Sequence, residues 1–281
     1  MCNRVTIKIA VIEARATFTD WIGSHRIGFE IGSDIFSAPH LDEYFVYEKD
    51  ESSLIEIYLE VIFNHLKSNL PFDYLGKRYS VSDWRMLADR LLTEKAIVEL
   101  GRAAEGVMRD LLNIFILAVS KASKMVDEFT GKIEAIHIVE AAHQWFERDK
   151  LQSIPPETAR ALAVLERKLI AERGTRFFAV PSELPKTRVL LSLIDSRLVH
   201  SVWRNLADPN NPGNRYSIYC LDYGSCLSIV RGSERYRQNV KYYDLMEKIS
   251  IKLDQMNDFS EIITEDLFGL EVPGEVEVAK S

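Results

Sequence analysis

Between Glu99 and Lys124 the chain reads ELGRAAEGVMRDLLNIFILAVSKASK, and no other stretch limits its folding so tightly. From Gly106 onward apolar residues return at helical spacing: Val107, Met108, Leu111, Leu112, Phe115, Ala118, Val119 and Ala122. The stretch is therefore expected to be a helix entered through Gly106. Arg109 is at odds with its place in it. The first turn of a helix exposes unpaired N–H groups and carries partial positive charge, which favours anions over a guanidinium. Either Arg109 reaches for something negative outside the helix, or it is a surface residue paired with Asp110 or Glu105.

The block Gly106-Val107-Met108-Arg109-Asp110, followed by a long apolar helix, resembles the sensor-2 motif of AAA+ ATPases. It is most similar to the origin-recognition/initiator type and to the related STAND-type bacterial ATPases. The resemblance implies that Arg109, at the start of a lid helix, lies against the phosphates of a bound nucleotide. It also implies that Gly106 permits the tight entry into that helix.

Composition sets the frame for this reading. A chain of 281 residues with 47% hydrophobic and 27% charged residues is expected to be an ordinary globular protein of more than one domain. No apolar run approaches a membrane span, and no signal-peptide core opens the chain. Cys2, Cys220 and Cys226 have no metal-ligand spacing and suit a reducing cytoplasm. The net charge of −7 is uneven: residues 155–237 carry thirteen Lys/Arg against eight Asp/Glu, a net of +5, which leaves −12 elsewhere. A basic segment in an acidic chain hints at a polyanionic partner for that segment.

In chain order, Val5 to Ala14 is β-branched and apolar, as a strand buried on both faces would be. It is an orphan, because no strand of that kind follows for over a hundred residues. The AAA+ resemblance makes it the last strand of a nucleotide-binding sheet, with Arg15 just past its end. Residues 27–47 read as an irregular connection. Ser53-x-x-Glu56 is a capping box for a helix from Leu54 to Ser68, with Leu54, Ile55, Tyr58, Leu59, Ile62 and Leu66 inward. A loop from Pro71 to Tyr79 follows, and Ser82 caps a helix running to Leu92. A further helix, Lys132 to Arg148, turns Ile136, Val139, Ala142 and Trp145 to the core. These helices make a compact bundle with short links.

At Ile154-Pro155-Pro156 the pattern changes. A helix (Glu157–Glu172), a strand (Arg176–Val180) and a helix (Leu184–Ser196) are followed by extended runs Leu198–Trp203 and Tyr216–Asp222. Between those runs NLADPNNPGNR forms a turn-rich tip. Helix, strand, helix, strand, hairpin, strand is the order of a winged helix. Lys186 and Arg188 would begin its recognition helix, Arg197 would close that helix, and Arg204 and Arg215 would flank the wing. Such residues touch the major groove and its phosphates, or else form solvated faces or internal contacts. A last helix is expected over Asn239–Asp258, then an acidic tail from Glu271 to Ser281.

No G-x-x-x-x-G-K-[ST] loop occurs, and no apolar strand ends in paired acids for a magnesium ion. The chain by itself is therefore expected to have no catalytic residues and no ATP hydrolysis. Glu140-x-x-His143 has the spacing of half a di-iron site, but no second copy completes it, so no metal ligands are assigned. His200 and Ser201 lack an oxyanion motif, and a hydrolase is discarded.

The expected fold is mainly α with a small β component: a helical AAA+ lid-like bundle, a winged-helix domain and one orphan N-terminal strand. Its segments are 1–47 (remnant of a nucleotide-binding α/β domain), 48–153 (bundle), 154–237 (winged helix) and 238–281 (helix and tail). The expected role is regulatory, in a truncated initiator/STAND-like ATPase. Arg109 senses phosphate, and the winged helix is an internal clamp or a DNA contact. ATP or ADP and Mg enter only through a P-loop partner or missing half; duplex DNA and a second copy of the chain are the other partner classes. The alternatives are a free-standing winged-helix DNA-binding protein with a helical dimerisation bundle, and an inactive fragment of a longer reading frame.

Overall fold

The computed structural model describes residues 19–28, 44–71, 73–123, 131–152, 154–182, 187–208 and 212–232. The expected strand Val5–Ala14, Arg15, Lys186, the helix Asn239–Asp258 and the acidic tail lie outside them, as does most of the connection 27–47.

The chain divides into residues 1–41 and 42–281. In the first part, Thr19–Ile22 (β1) and His25–Gly28 (β2) pair antiparallel, with Ile22 opposite His25. Their turn contains Gly23 at φ +64, a conformation that favours glycine.

In the second part, Glu51–Asn69 (α1) starts three residues before the expected Leu54. Asp50, not Ser53, is the N-cap, and its Oδ1 accepts from the Ser53 N–H at 3.0 Å. A carboxylate at the N-terminus also meets the helix dipole favourably, which a hydroxyl does not. The expected loop over Pro71–Tyr79 contains a short helix, Tyr74–Tyr79 (α2), pinned by partly buried Leu75. Trp84–Leu91 (α3) is capped by Asp83 rather than Ser82, again by a carboxylate accepting a backbone N–H, that of Met86.

The helix expected from Gly106 begins at Met108, and the Glu99 end of the stretch belongs to a separate helix ahead of it. Thr93 caps Glu94–Ala104 (α4); the chain then turns at Glu105 and Gly106, both at positive φ, and Met108–Ser123 (α5) begins. Ala135–Trp145 (α6) packs on α4 and α5. Buried Leu111, Ile114, Phe115, Ala118, Ile138, Val139 and Ala142 form this part of the core. Ile136, expected inward, is exposed; the inward face of α6 runs through Ile138 instead.

Past Trp145 the helix widens into one π-helical turn, Phe146–Lys150, in which the Leu151 N–H reaches the Phe146 carbonyl at 3.2 Å. Pro156–Leu165 (α7) likewise runs on in π turns through Arg173. Phe177–Pro181 (β3), Arg188–Asp195 (α8), Val199–Ala207 (β4) and Arg215–Leu221 (β5) follow. The three strands form an antiparallel sheet in the order β3-β5-β4, with Phe177 opposite Cys220 and Val199 opposite Leu221. An unexpected helix, Tyr223–Gly232 (α9), leaves the sheet directly. It starts where Asp222 Oδ1 accepts from the Gly224 N–H at 2.9 Å.

The described part of the protein is thus mainly helical with a small antiparallel sheet. Bundle and sheet share a buried apolar cluster that runs from Val46 to Leu227. No helix among the described residues is long and apolar enough to cross a membrane.

Candidate functional site: the ionic joint around the start of α5

The turn that starts α5 is built from two residues in left-handed conformations. Glu105 has φ 51 and Gly106 φ 79. A Cβ on Gly106 would come within 2.5 Å of the Phe45 carbonyl oxygen, so the close approach as well as the φ requires glycine. The Gly106 N–H donates to the Tyr58 hydroxyl at 2.7 Å, which ties the turn to α1.

Glu105 holds the turn from the other side. Its carboxylate accepts from the Arg176 guanidinium, which also donates to Glu48 and, at 3.1 Å, to the Leu221 carbonyl. Arg176 is fully buried. Burial disfavours its charge, but Glu105 and Glu48 outweigh that and raise its pKa well above the ordinary value. One guanidinium serves two acids. Burial therefore pushes the Glu105 carboxyl up despite Arg176.

Asp110, one residue past Arg109, faces inward and is fully buried. Its Oδ1 accepts from Trp145 Nε1 at 3.0 Å and from Arg197. Lys150 in the π turn lies 2.9 Å from its Oδ2 and donates to Asp222. Asp222 also meets His200 Nε2 at 3.1 Å. Burial opposes the charge on Asp222, yet Lys150 and His200 hold its pKa well below the ordinary carboxylate range. For the same reason Lys150 is raised: burial works against its charge, and Asp222 and Asp110 overcome it.

The joint therefore gathers the first turn of α5, the π turn after α6, the turn after α8, strand β4 and the residue after β5. Arg197, at φ 58 just past α8, spans the joint by donating to both Asp110 and Asp149. Close packing lets these elements meet: a Cβ on Gly224 would lie 2.3 Å from the Phe146 Cβ, so α9 approaches the π turn as only glycine allows.

Arg109 stands at the edge of this joint with its side chain 59% exposed. Its Nε is 4.0 Å from Asp110 Oδ1 and its Nη2 is 3.7 Å from Asp149 Oδ2. These are ion contacts, longer than hydrogen bonds. Glu105, the other partner considered for it, belongs to Arg176 instead.

The basic residues of the sheet unit are placed as follows. Arg188 opens α8 and is exposed. Arg197 is committed to the joint. Half-buried Arg204 donates to Ser201 Oγ at 3.4 Å, and burial lowers its pKa. Arg215 is exposed and donates to the Asn205 carbonyl at 2.9 Å, which ties β5 to β4. The acid and the histidine of Glu140-x-x-His143 go to separate neighbours, Lys121 at 3.7 Å and Glu147 at 3.5 Å. Among the described residues no group of His, Cys, Asp or Glu is arranged to hold a metal ion.

Asp149, Lys150, Arg176 and Asp222 escaped the sequence reading. Asp149-Lys150 reads as the solvated end of a helix, and only the π turn directs both residues to the sheet. The charge of Arg176 lies beside four apolar residues in RFFAV, which is the hint in the sequence that it is buried.

No protein-family model, curated protein or solved structure matches the chain.

Proposed function

We propose that the chain is the regulatory lid and winged-helix portion of an initiator/STAND-like AAA+ ATPase. Arg109 senses the phosphates of a nucleotide held by a P-loop partner, and the sheet unit acts as an internal clamp on the bundle. The observation that carries this reading is the position of Arg109. It is an exposed guanidinium, held only by long contacts, at the start of a helix whose next residue is locked into the clamp. The sheet order β3-β5-β4 behind α7 and α8 is compatible with a helix and wing. The engagement of Arg197, Arg204 and Arg215 with their own chain favours a clamp over a DNA contact.

In this reading Arg109 is the cation that meets the phosphates, and among the described residues no group of His, Cys, Asp or Glu is arranged to hold their metal ion. ATP or ADP and its metal would therefore be bound by the partner. The test is turnover and phosphate binding by the purified chain. We expect no ATP hydrolysis, and weak binding of tripolyphosphate that Arg109→Gln removes. Hydrolysis that survives rigorous purification and disappears in Arg109→Ala would overturn the proposal.

A second reading, a free-standing DNA-binding protein, is favoured by one observation. Arg188 and Arg215 are both exposed, at the start of α8 and beside the turn between β4 and β5.

A further inference from the structure

Arg109 and Arg197 compete for the same pair of oxygens. Arg197 donates to Asp110 Oδ1 and Asp149 Oδ2. Arg109 lies 4.0 Å from the first and 3.7 Å from the second. The two guanidiniums are held very differently. Arg197 has a side chain 21% exposed and makes directed bonds, whereas Arg109 is 59% exposed and makes none to these acids. The acids differ too. Asp110 is fully buried and also anchored by Trp145 and Lys150, but Asp149 is 29% exposed and faces only the two arginines in the contacts described. Of the two shared carboxylates, Asp149 is the one whose environment an arriving anion changes most.

Arg197 passes such a change to the backbone. It sits at φ 58, a conformation that costs a non-glycine residue energy and persists only where its surroundings impose it. Its N–H donates to the Ile194 carbonyl at 2.9 Å, the next N–H, of Leu198, donates to Leu193 at 2.9 Å, and the Ser196 N–H donates to Ser192 at 3.0 Å. The guanidinium bonds to Asp110 and Asp149 are the side-chain restraints on this turn.

We propose that Asp149 couples anion binding at Arg109 to the hold on the end of α8. A phosphate draws Arg109 off Asp149, the carboxylate is left to Arg197 alone, and the turn Ser196–Leu198 tightens. Asp149 is a positioning residue here, acting through Arg197. The inference rests on the proposal that Arg109 meets phosphate. Coupling of this kind is reciprocal, so a tighter clamp in turn favours the anion.

The experiment is amide hydrogen exchange on the full chain with inorganic tripolyphosphate. In the wild type, exchange at Ser196, Arg197 and Leu198 slows by about two- to fivefold on saturation, the scale of one exposed ion pair. Asp149→Asn still binds tripolyphosphate, because Arg109 is present and a competing carboxylate is gone, but shows no protection of these amides. Asp149→Glu restores protection. Arg109→Gln shows neither binding nor protection. If Arg109→Gln binds tripolyphosphate as the wild type does, the phosphate reading of Arg109 fails, and the coupling fails with it. If binding requires Arg109 but the three amides do not respond, or still respond in Asp149→Asn, the coupling alone is wrong.

Discussion

Glu105 and Arg176 form a buried ion pair that joins the turn ahead of α5 to the residue preceding β3. The pair is unbalanced, because Glu48 shares the same guanidinium. Removing either side of it has different consequences.

Arg176→Met strands two buried carboxylates and is expected to destabilise the protein by about 3–5 kcal/mol, the usual cost of leaving buried charge unpaired. Glu105→Gln should behave in the opposite sense at neutral pH. The Glu105 pKa is raised above its ordinary 4.5, so its contribution to stability is complete below that value and is lost as pH rises through the folded-state pKa. The glutamine variant does not titrate there. It should match the wild type near pH 4.5 and gain on it above, by at most about 1.4 kcal/mol per pH unit. Urea denaturation of both proteins across this range checks the sign. A wild type that gains on the variant with rising pH would contradict the assignment.

The Lys150–Asp222 pair has the reverse dependence on the acid side. Because the Asp222 pKa is lowered, its stabilisation is present above the ordinary 3.8 and is lost as pH falls below it. Asp222→Asn should therefore be less stable by about 3–5 kcal/mol at neutral pH, since Lys150 loses its hydrogen-bonded acid. The gap should close in strong acid. Melting temperatures that stay equally far apart at pH 7 and pH 2.5 would show that Asp222 does not carry the charge assigned to it.

Gly106→Ala tests the entry to α5. Both the positive φ and the Phe45 carbonyl at 2.5 Å oppose a Cβ, so the loss should be about 1–3 kcal/mol. Gly131→Ala is the control: its Cβ would meet nothing within 4 Å, and its effect should stay within about 0.5 kcal/mol. Equal losses in the two variants would remove the argument from close approach.

DNA titration separates the clamp from the second reading. If Arg188 and Arg215 contact phosphates among about three to five such contacts, log affinity against log salt should slope at roughly −3 to −4. Changing both to Gln should flatten the slope by about one to two units. A clamp gives weak binding with little salt dependence in either protein, and that is the expected outcome.

The sequence disclosed helices and strands better than their joints. Hydrophobic spacing located α1, α5, α6 and the sheet strands because each has a continuous apolar face. The entry to α5 at Gly106 was legible, whereas the separate helix α4 and the left-handed Glu105 that ends it were not, since a non-glycine residue at positive φ leaves no mark in the sequence. The caps were misassigned to Ser53 and Ser82 because a nearby acid, Asp50 before the first and Asp83 after the second, is the stronger acceptor. α9 was missed because it begins with Tyr223-Gly224, a pair that reads as the end of a strand. The candidate site was half legible. Arg109 and Gly106 stood out by position, whereas Asp149, Lys150 and Asp222 became a group only through the π turn and the sheet. Residues far apart in the chain carry no local signal of such a meeting.

The π turn at Phe146–Lys150 also makes the joint depend on how many residues the chain has, apart from which residues they are. A π turn amounts to one residue inserted into an α-helix. Deleting a single residue there would leave a continuous, well-formed helix of almost the same composition. It would also rotate everything downstream by about 100°, the angle one α-helical residue occupies. Asp149 and Lys150 could not then both face Arg197 and Asp222. This part of the chain tolerates substitution more readily than a change of length, and related chains are best aligned on it by residue count.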